Sequence, residues 1–565
     1  MHLKMEVRSI PTQPIEGQKT GTSGLRKKVA HIEAIPNYIE NWLQSLMNAL
    51  EGSQVGQTLI LGGDGRYLND RAVIAAIEIL FANGVEHIVV GQGGLLSTPS
   101  VSNLIRKRKA FGGIIMTASH NPAGKSGDWG IKFNCSNGEP APEKITDTIY
   151  ACSLTISEIR RMELNINFND LKSLGIRNFE SSKKLEIVDS VNDYVDLMKS
   201  VFDFDAIRSF ITNRKVSVLF DGMHAVTGIY GKRIFVDEFG LDEKSSLQNA
   251  TPLSDFGNGH PDPNLVYAHD LVARMMSREN CPVLGAASDG DGDRNMIMGA
   301  NWFVTPSDSL AIIAHYATKA IPYFIKHGLK GVARSMPTSR AVDAVAHSLG
   351  FPCYQTPTGW KFFGNLMDGG LANLCGEESF GTGADHIREK DGIWAVLAWF
   401  SVLEYVNRED DSREFLGVQQ INEKHWDMYG RHHYARCDYE ECESVGANKM
   451  MDHIRSSLSS LPGSELMSDW TVEIADEYEY KDPVDGQEAK KQGFIIAFSN
   501  GSRLVYRLSG TGSAGATIRV YMEQYVRNWR AEKTVALDKG PLMELSKKIS
   551  LIEMFTGRSQ PTVIT

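Results

Sequence analysis

None of the seven cysteines (Cys135, Cys152, Cys281, Cys353, Cys375, Cys437 and Cys442) stands in a C-x-x-C pair, and the count is odd. That argues against a disulfide framework or a cysteine zinc site, and a reducing, cytoplasmic location is expected. G-x-S-x-G occurs nowhere, which removes the strained nucleophile turn of serine hydrolases. A long basic run is also missing. The densest cluster is "RKRK" at Arg106–Lys109, in a chain of formal net charge −10. Binding a nucleic-acid backbone needs a basic footprint, so no nucleic-acid partner is expected. A local basic pocket for a small phosphorylated ligand stays open. The N-terminus, "MHLKMEVRSIP", has no apolar signal core. The longest apolar stretch, "IWAVLAWFSVLEYV" (Ile393–Val406), contains a glutamate and falls short of the roughly 20 residues a bilayer needs. It reads as a core helix, and no integral membrane segment is expected.

What is present is an ordinary globular composition, 42% hydrophobic and 23% charged, over 565 residues. That length predicts about three to five domains. The first 160 residues alternate strand and helix patterns. "QTLILGG" (Gln57–Gly63) and "VEHIVVG" (Val85–Gly91) read as strands around a helix, "RAVIAAIEILFANG" (Arg71–Gly84). Such βαβ units place ligand loops at strand ends. Arg160–Val188 reads as irregular. "KVSVLFDG" (Lys215–Gly222), "PVLGAASDG" (Pro282–Gly290), "KGVARS" (Lys330–Ser335) and "LANLCGEES" (Leu371–Ser379) read as further strands. The charged run "NREDDSRE" (Asn407–Glu414) reads as a linker, and "GFIIAFSNGSRLVYRLSG" (Gly493–Gly510) as a hairpin. No internal repeat is visible at the residue level.

Several loops carry chemistry. In "SDGDGDR" (Ser288–Arg294), Asp289, Asp291 and Asp293 alternate with glycines at a strand end. Alternate side chains there can converge, and three close carboxylates repel unless a cation sits among them. All-oxygen ligands suit Mg²⁺, Ca²⁺ or Mn²⁺. Counted from Asp289 as an EF-hand loop, positions six and twelve are Arg294 and Ala300, so that reading fails. "SGTGSAGAT" (Ser509–Thr517) is rich in N–H and hydroxyl donors for phosphate and is flanked by Arg507 and Arg519. It lacks the lysine of a nucleotide P-loop and runs into a strand, so it is not one. "CGEESFGTG" (Cys375–Gly383) offers carboxylates and a hydroxyl to vicinal hydroxyls. "GTSGLRKK" (Gly21–Lys28) offers Ser23 and Arg26 to an anion. In "MTASHNP" (Met116–Pro122), Ser119 and His120 are neighbours, so in a strand-like loop their side chains are expected to diverge. From its local sequence, Ser119 reads equally well as a turn former or a phosphate carrier.

Ten blocks in order, "GTSGLRKKV", "GGDGRY", "TASHNP", "GIKFN", "GHPDPN", "DGDGDRNM", "TPTGWKFFGNL", "CGEESFGTG", "HIREKDGIWAVLAW" and "RLSGTGSAGATIR", resemble the α-D-phosphohexomutase superfamily. Within it the chain is similar to the phosphoglucomutase branch, which includes parafusin-like proteins linked to regulated secretion. The resemblance implies an α/β fold: three similar α/β domains plus a distinct C-terminal α+β domain around a central cleft. The corresponding boundaries are 1–204 with the phosphoserine loop, 205–317 with the metal loop, 318–421 with the sugar loop and 422–565 with the phosphate loop. It implies interconversion of glucose 1-phosphate and glucose 6-phosphate through glucose 1,6-bisphosphate, with Mg²⁺ as cofactor. Carried over by motif, Ser119 is the phosphoserine. Asp289, Asp291 and Asp293 hold the metal, with a phosphate oxygen on Ser119. Glu377, Ser379, Thr358 and Gly359 line the sugar site. Arg507, Ser509, Gly510, Thr511 and Arg519 grip the non-reacting phosphate, with Ser23 also at the substrate. Arg26, His120, Lys132, Arg294 and Lys390 form a basic shell, and His120 and Lys132 both stand as candidate bases.

Thr20 and Asn258 depart from the family pattern at positions that are not ligands. Two alternatives accompany this reading. One is a signalling or scaffold role in secretion, with peripheral vesicle association. The other is a mutase of broader phosphohexose specificity. A monomer or dimer is expected.

Overall fold

The computed structural model describes residues 6–21, 24–179, 182–277, 279–410, 414–509, 515–531 and 537–565. Its first sheet has seven strands. From one edge they run Leu25–Lys28, Asp128–Cys135, Gly112–Met116, Thr58–Gly63, His87–Leu95, Lys184–Val188 and Gly175–Asn178. Four adjacent strands, from Gly112–Met116 to Lys184–Val188, are mutually parallel. The first three of these are near-continuous runs of Ile, Leu, Val and Gly because helices cover both faces of such a sheet. The helix Asn69–Ala82 follows the strand Thr58–Gly63, as the apolar spacing of that segment predicts. Arg160–Val188 is not irregular. It supplies the strand Lys184–Val188, which pairs parallel with His87–Leu95, and the edge strand Gly175–Asn178, which pairs antiparallel with Lys184–Val188. Their short, polar, half-exposed pattern hid them from a reading based on apolar periodicity.

The second sheet runs Leu247–Gln248, Val218–Asp221, Leu284–Ser288, Asn295–Gly299, Trp302–Val304. The third runs Cys353–Thr356, Val332–Ser335, Leu374–Glu377, Gly381–Ala384. These sheets and the first share one device. A parallel strand ends, a chemistry-bearing loop follows, and the chain returns as an antiparallel neighbour. The pairs are Gly112–Met116 with Asp128–Cys135, Leu284–Ser288 with Asn295–Gly299, and Leu374–Glu377 with Gly381–Ala384. The repeat is thus topological, which is why no residue-level repeat is visible. The fourth sheet is antiparallel and contains Arg431–Cys442, Phe494–Phe498, Arg503–Ser509 and Ala516–Val526, with the expected hairpin between the second and third of these.

The helix Gly392–Glu409 is the apolar stretch of the sequence. Trp394, Leu397, Trp399 and Phe400 on it are fully buried in a core shared by the second and third sheets. Burying each such side chain contributes about 1.5–3 kcal/mol. Asp391 caps this helix, accepting from the Trp394 N–H at 3.1 Å, and also accepts from the Tyr194 hydroxyl at 2.6 Å. The helix continues through Asn407–Glu409, so the first part of the expected linker is helical, while residues 411–413 lie outside the described ones. Asn407 explains the continuation: its amide donates to the Leu403 and Leu416 carbonyls, tying the helix end to the returning chain. Among the described residues, no helix is long and apolar enough to cross a membrane.

Candidate active site

The site loops meet in a cleft of about 440 Å³ lined from all four sheets, with Ser119, Asp291, Glu377, Lys390, Arg507 and Arg519 among its walls. Ser119 adopts a left-handed backbone with φ 52°. That conformation costs a non-glycine residue about 1 kcal/mol and needs support on both sides. Support comes from the loop after the neighbouring strand. The Ser119 N–H donates to Thr117 Oγ1 at 2.7 Å, and Thr117 in turn donates to Asp64 Oδ2 at 2.6 Å. Arg66, 1% exposed, donates from Nη2 to the Ser119 carbonyl at 2.8 Å and from Nε to Asp64 Oδ2 at 2.9 Å. The left-handed turn also corrects the expected divergence of Ser119 and His120. Ser119 Oγ lies 3.3 Å from His120 Nδ1, because the chain reverses at Ser119 instead of extending.

Asp289, Asp291 and Asp293 converge, with one carboxylate oxygen of each within 4.8 Å of the others, and all three are buried. Ser119 Oγ donates to Asp289 Oδ2 at 3.0 Å, which places the serine at the edge of the triad. Gly290 permits this approach, since a Cβ there would lie 2.3 Å from the Ser119 carbonyl oxygen. Burial, then Asp293 and Asp291, drive the Asp289 carboxyl well above its ordinary range. Asp291 Oδ1 and Asp293 Oδ1 are buried without hydrogen-bond partners. Orphaned carboxylate oxygens facing one another fit a hard divalent cation with oxygen ligands. Thr98 Oγ1 donates to Asp291 Oδ2 at 2.7 Å and orients it.

Cations surround the triad. Lys390 pairs with Asp293 at 3.0 Å, and Gly381 leaves room for its stem. Burial opposes the Lys390 charge, but Asp293, Glu377 and Asp289 together outweigh it and hold the ammonium above its ordinary value. Lys132 pairs with Glu389 at 3.1 Å, and Glu389 also accepts from Asn134 at 2.9 Å. Arg294 pairs with Asp262 at 3.1 Å, while Arg26 Nε is buried and unpaired. Burial, then the cations Arg294, Arg26 and Lys390, push the His120 imidazole well below its ordinary value.

On the opposite wall, Glu377 Oε1 accepts from the Gly359 N–H at 3.2 Å, and the Thr358 hydroxyl is buried without a partner. Gly359 has φ 128°, a conformation that favours glycine. Ser379 borders the same wall. Arg507 and Arg519 are register partners on adjacent strands, with Ser509 beyond them. Ser23, Gly510 and Thr511 lie outside the described residues.

Sequence reasoning missed Asp64, Arg66, Asp262, Glu389 and Arg436. The first four sit inside the family blocks "GGDGRY", "GHPDPN" and "HIREKDG", but touch other ligand-bearing residues instead of projecting from a recognisable loop of their own. Arg436 lines the cleft from a strand with no motif, paired with Asp438 at 3.0 Å.

Fold and site together define a phosphoryl-handling protein of the phosphohexomutase kind: a buried serine at a carboxylate triad, ringed by cations and faced by a loop that carries Glu377 and Ser379. The family descriptions of the phosphoglucomutase/phosphomannomutase alpha/beta/alpha domains I, II and III match residues 17–160, 192–302 and 305–418, and that of the phosphoglucomutase-1 C-terminal domain matches 431–562. The chain belongs to the phosphoglucomutase/phosphomannomutase family. It is 54% identical to phosphoglucomutase 1, chloroplastic, of Marchantia polymorpha over 99% of this chain and 85% of that one. It is 51% identical to probable phosphoglucomutase, cytoplasmic 2, of Arabidopsis thaliana over the full length of both. Among solved structures, the open form of the exocytosis-sensitive phosphoprotein pp63/parafusin of Paramecium, a phosphoglucomutase, superposes with TM-score 0.91 at 48% identity, over 99% of each chain.

Proposed function

We propose that this chain is a phosphoglucomutase, an isomerase that interconverts glucose 1-phosphate and glucose 6-phosphate through a phosphoserine and glucose 1,6-bisphosphate. The observation that carries the reading is Ser119 Oγ, held 3.0 Å from Asp289 in a cleft that also presents Glu377, Arg507 and Arg519. Ser119 carries the phosphoryl group and donates it to one sugar hydroxyl. Glu377, Ser379, Thr358 and Gly359 receive sugar hydroxyls and backbone-facing oxygens. Arg507, Ser509 and Arg519, with Gly510 and Thr511, grip the phosphate that does not react. The bisphosphate then turns over and presents its other phosphate to Ser119. A fork of arginines and flexible hydroxyls tolerates both orientations, since phosphoryl transfer depends on positioning and charge neutralisation. In the return step the Ser119 Oγ–P bond forms as the sugar O–P bond breaks. The Oγ proton passes to His120 Nδ1, 3.3 Å away, and from the imidazole to the sugar oxygen that the phosphoryl group leaves. The first transfer runs the same path in reverse. Lys132, tied to Glu389, serves as a fixed cation beside the transferring group. Arg26, Arg294 and Lys390 add to that field, and Ser23 is a further substrate contact by its motif.

Asp289, Asp291 and Asp293 hold Mg²⁺, which supplies Lewis-acid stabilisation of the transferring group when bound. The cytoplasm is the location we favour. All seven thiols are free, as befits a reducing compartment, and cytoplasmic relatives match this chain end to end. The likeness to the Paramecium phosphoprotein, which is exocytosis-sensitive, supports a second role at secretory vesicles. Vesicle co-fractionation that persists in Ser119→Ala would favour that role, and its absence from wild-type cells would remove it.

The direct test is a coupled assay with glucose 1-phosphate, Mg²⁺ and glucose 1,6-bisphosphate, paired with intact-mass measurement. Turnover and one bound phosphate are expected in the wild type, and neither in Ser119→Ala. Folded wild-type protein without turnover would refute the reading.

A further inference from the structure

The strands Arg503–Ser509 and Ala516–Val526 carry two facing pairs of charged residues. Arg507 faces Arg519 at the cleft. Four residues away, about 13 Å along the strands, Arg503 faces Glu523. This second pair is nearly sealed from solvent, at 3% and 1% exposure, and lies against the third sheet's unit. Glu523 accepts from Arg503 Nε, from His432 Nδ1 at 2.6 Å and from the Arg340 N–H at 2.8 Å. Arg503 donates to the Met336 carbonyl at 2.9 Å and to the Thr338 carbonyl. The Tyr434 hydroxyl donates to the Pro337 carbonyl at 2.8 Å. The segment 336–340 is therefore gripped by the fourth sheet at every residue except Ser339.

The same segment holds the sugar loop from its other side. Thr338 Oγ1 accepts from the Glu378 N–H at 2.9 Å, and Ser335 Oγ and Thr338 Oγ1 donate to Glu378 Oε2 at 3.0 and 3.2 Å. Glu378 stands between Glu377 and Ser379. Its carboxylate turns into this network, while Glu377 turns towards Gly359. We propose that Arg503, Glu523, Thr338 and Glu378 are positioning residues that lock the phosphate grip and the hydroxyl-binding loop into one span, so that the enzyme selects sugars by the distance between their phosphate and their hydroxyls. The path from Glu523 and Arg503 through Thr338 to Glu378 is rigid because its links are buried hydrogen bonds, and such networks lose geometry when one link is removed.

This proposal rests on the mutase reading, so its test includes a readout that does not need turnover. Inorganic phosphate is the probe, and backbone hydrogen exchange the measurement. In the wild type, phosphate should slow exchange in peptides covering 503–509 and also in peptides covering 376–380. In Thr338→Val, which keeps shape and removes the hydroxyl link, the strand should stay protected and the sugar loop should not. With glucose 1-phosphate, losing one such bond should raise KM about tenfold, with kcat within about threefold, and should reduce preference over mannose 1-phosphate. Tyr434→Phe, a milder change at the same joint, should shift the same quantities in the same direction. Folded Thr338→Val or Tyr434→Phe protein with wild-type loop protection, KM and preference would overturn the proposal. Wild-type protein in which phosphate protects 503–509 alone would overturn it too, whether or not the mutase assay succeeds.

Discussion

Arg66 donates to the carbonyl oxygen of Ser119 at 2.8 Å, from a loop that follows the strand neighbouring the one Ser119 follows. The same guanidinium reaches the Asp128 carbonyl at 2.9 Å and both oxygens of Asp64. Its planar fork thus ties the serine turn, the return strand and the support loop together. A lysine ammonium has no comparable fixed geometry. Arg66→Lys is expected to keep a cation for buried Asp64 but release the left-handed turn. Steady-state kinetics should show kcat lowered about 100-fold with KM little changed, as for loss of positioning at the reacting centre. A variant with wild-type kcat would show that Ser119 holds its conformation unaided.

The orphaned oxygens of Asp291 and Asp293 make the triad a source of instability without a cation. Mg²⁺ is expected to raise the melting temperature, by an amount equivalent to about 2.7 kcal/mol at a concentration 100 times Kd. Asp291→Asn should abolish that rise and the activity together. Thermal scans with EDTA and with graded Mg²⁺ check this, and a melting temperature indifferent to Mg²⁺ in the wild type would contradict it.

Glu377 is buried, and its carboxyl is raised by burial against the opposing pull of Lys390. Glu377→Gln keeps an acceptor for the Gly359 N–H but removes the charged acceptor that the proposed mechanism offers to sugar hydroxyls. A charged hydrogen bond contributes about 1.5–3 kcal/mol, so kcat/KM for glucose 1-phosphate should fall roughly 10- to 100-fold. An unchanged kcat/KM would take Glu377 out of the sugar site.

His315 and His425 lie between the helices Pro306–Ala320 and Val418–Tyr429, away from the cleft. Burial, then Lys319, lowers His315 to about 4. Burial, then His315 and His432, lowers His425 to about 3. Both are neutral when folded and bind protons more readily when unfolded. Their contribution is therefore intact above pH 6.5 and is lost as pH falls towards 4 and then 3, at about 1.4 kcal/mol per pH unit for each histidine. Melting temperatures measured from pH 7.5 to 5 should decline below 6.5, and His425→Gln should flatten that decline. A flat profile in the wild type would contradict the assignment.

The sequence exposed those parts of the site whose chemistry lies in a contiguous loop. DGDGDR concentrates three carboxylates in five residues, and MTASHNP follows an apolar strand that dictates where it emerges. The apolar helix at Gly392–Glu409 and the hairpin before Ser509 were equally legible, because period and turn chemistry are local properties. Ser119 itself was ambiguous locally. Its left-handed turn is imposed by Arg66, Asp64 and Thr117, and no property of a serine beside a histidine announces that. The strands Gly175–Asn178 and Lys184–Val188 were missed for a related reason. Both are short and rich in polar residues, and only the pairing of Lys184–Val188 with His87–Leu95, and of Gly175–Asn178 with Lys184–Val188, makes them strands.

By itself, then, the sequence determined the chemical inventory: a serine, three aspartates, a glutamate loop and an arginine-flanked donor loop, each at the end of an element whose pattern is local. Tertiary structure decided which of these meet. It set Ser119 against Asp289, turned His120 back towards Ser119, and committed Glu378 to the joint with the fourth sheet while Glu377 faces the Gly359 turn. Most of these choices depend on contacts between residues 40 to nearly 200 positions apart, where register and burial, and not local propensity, fix the outcome.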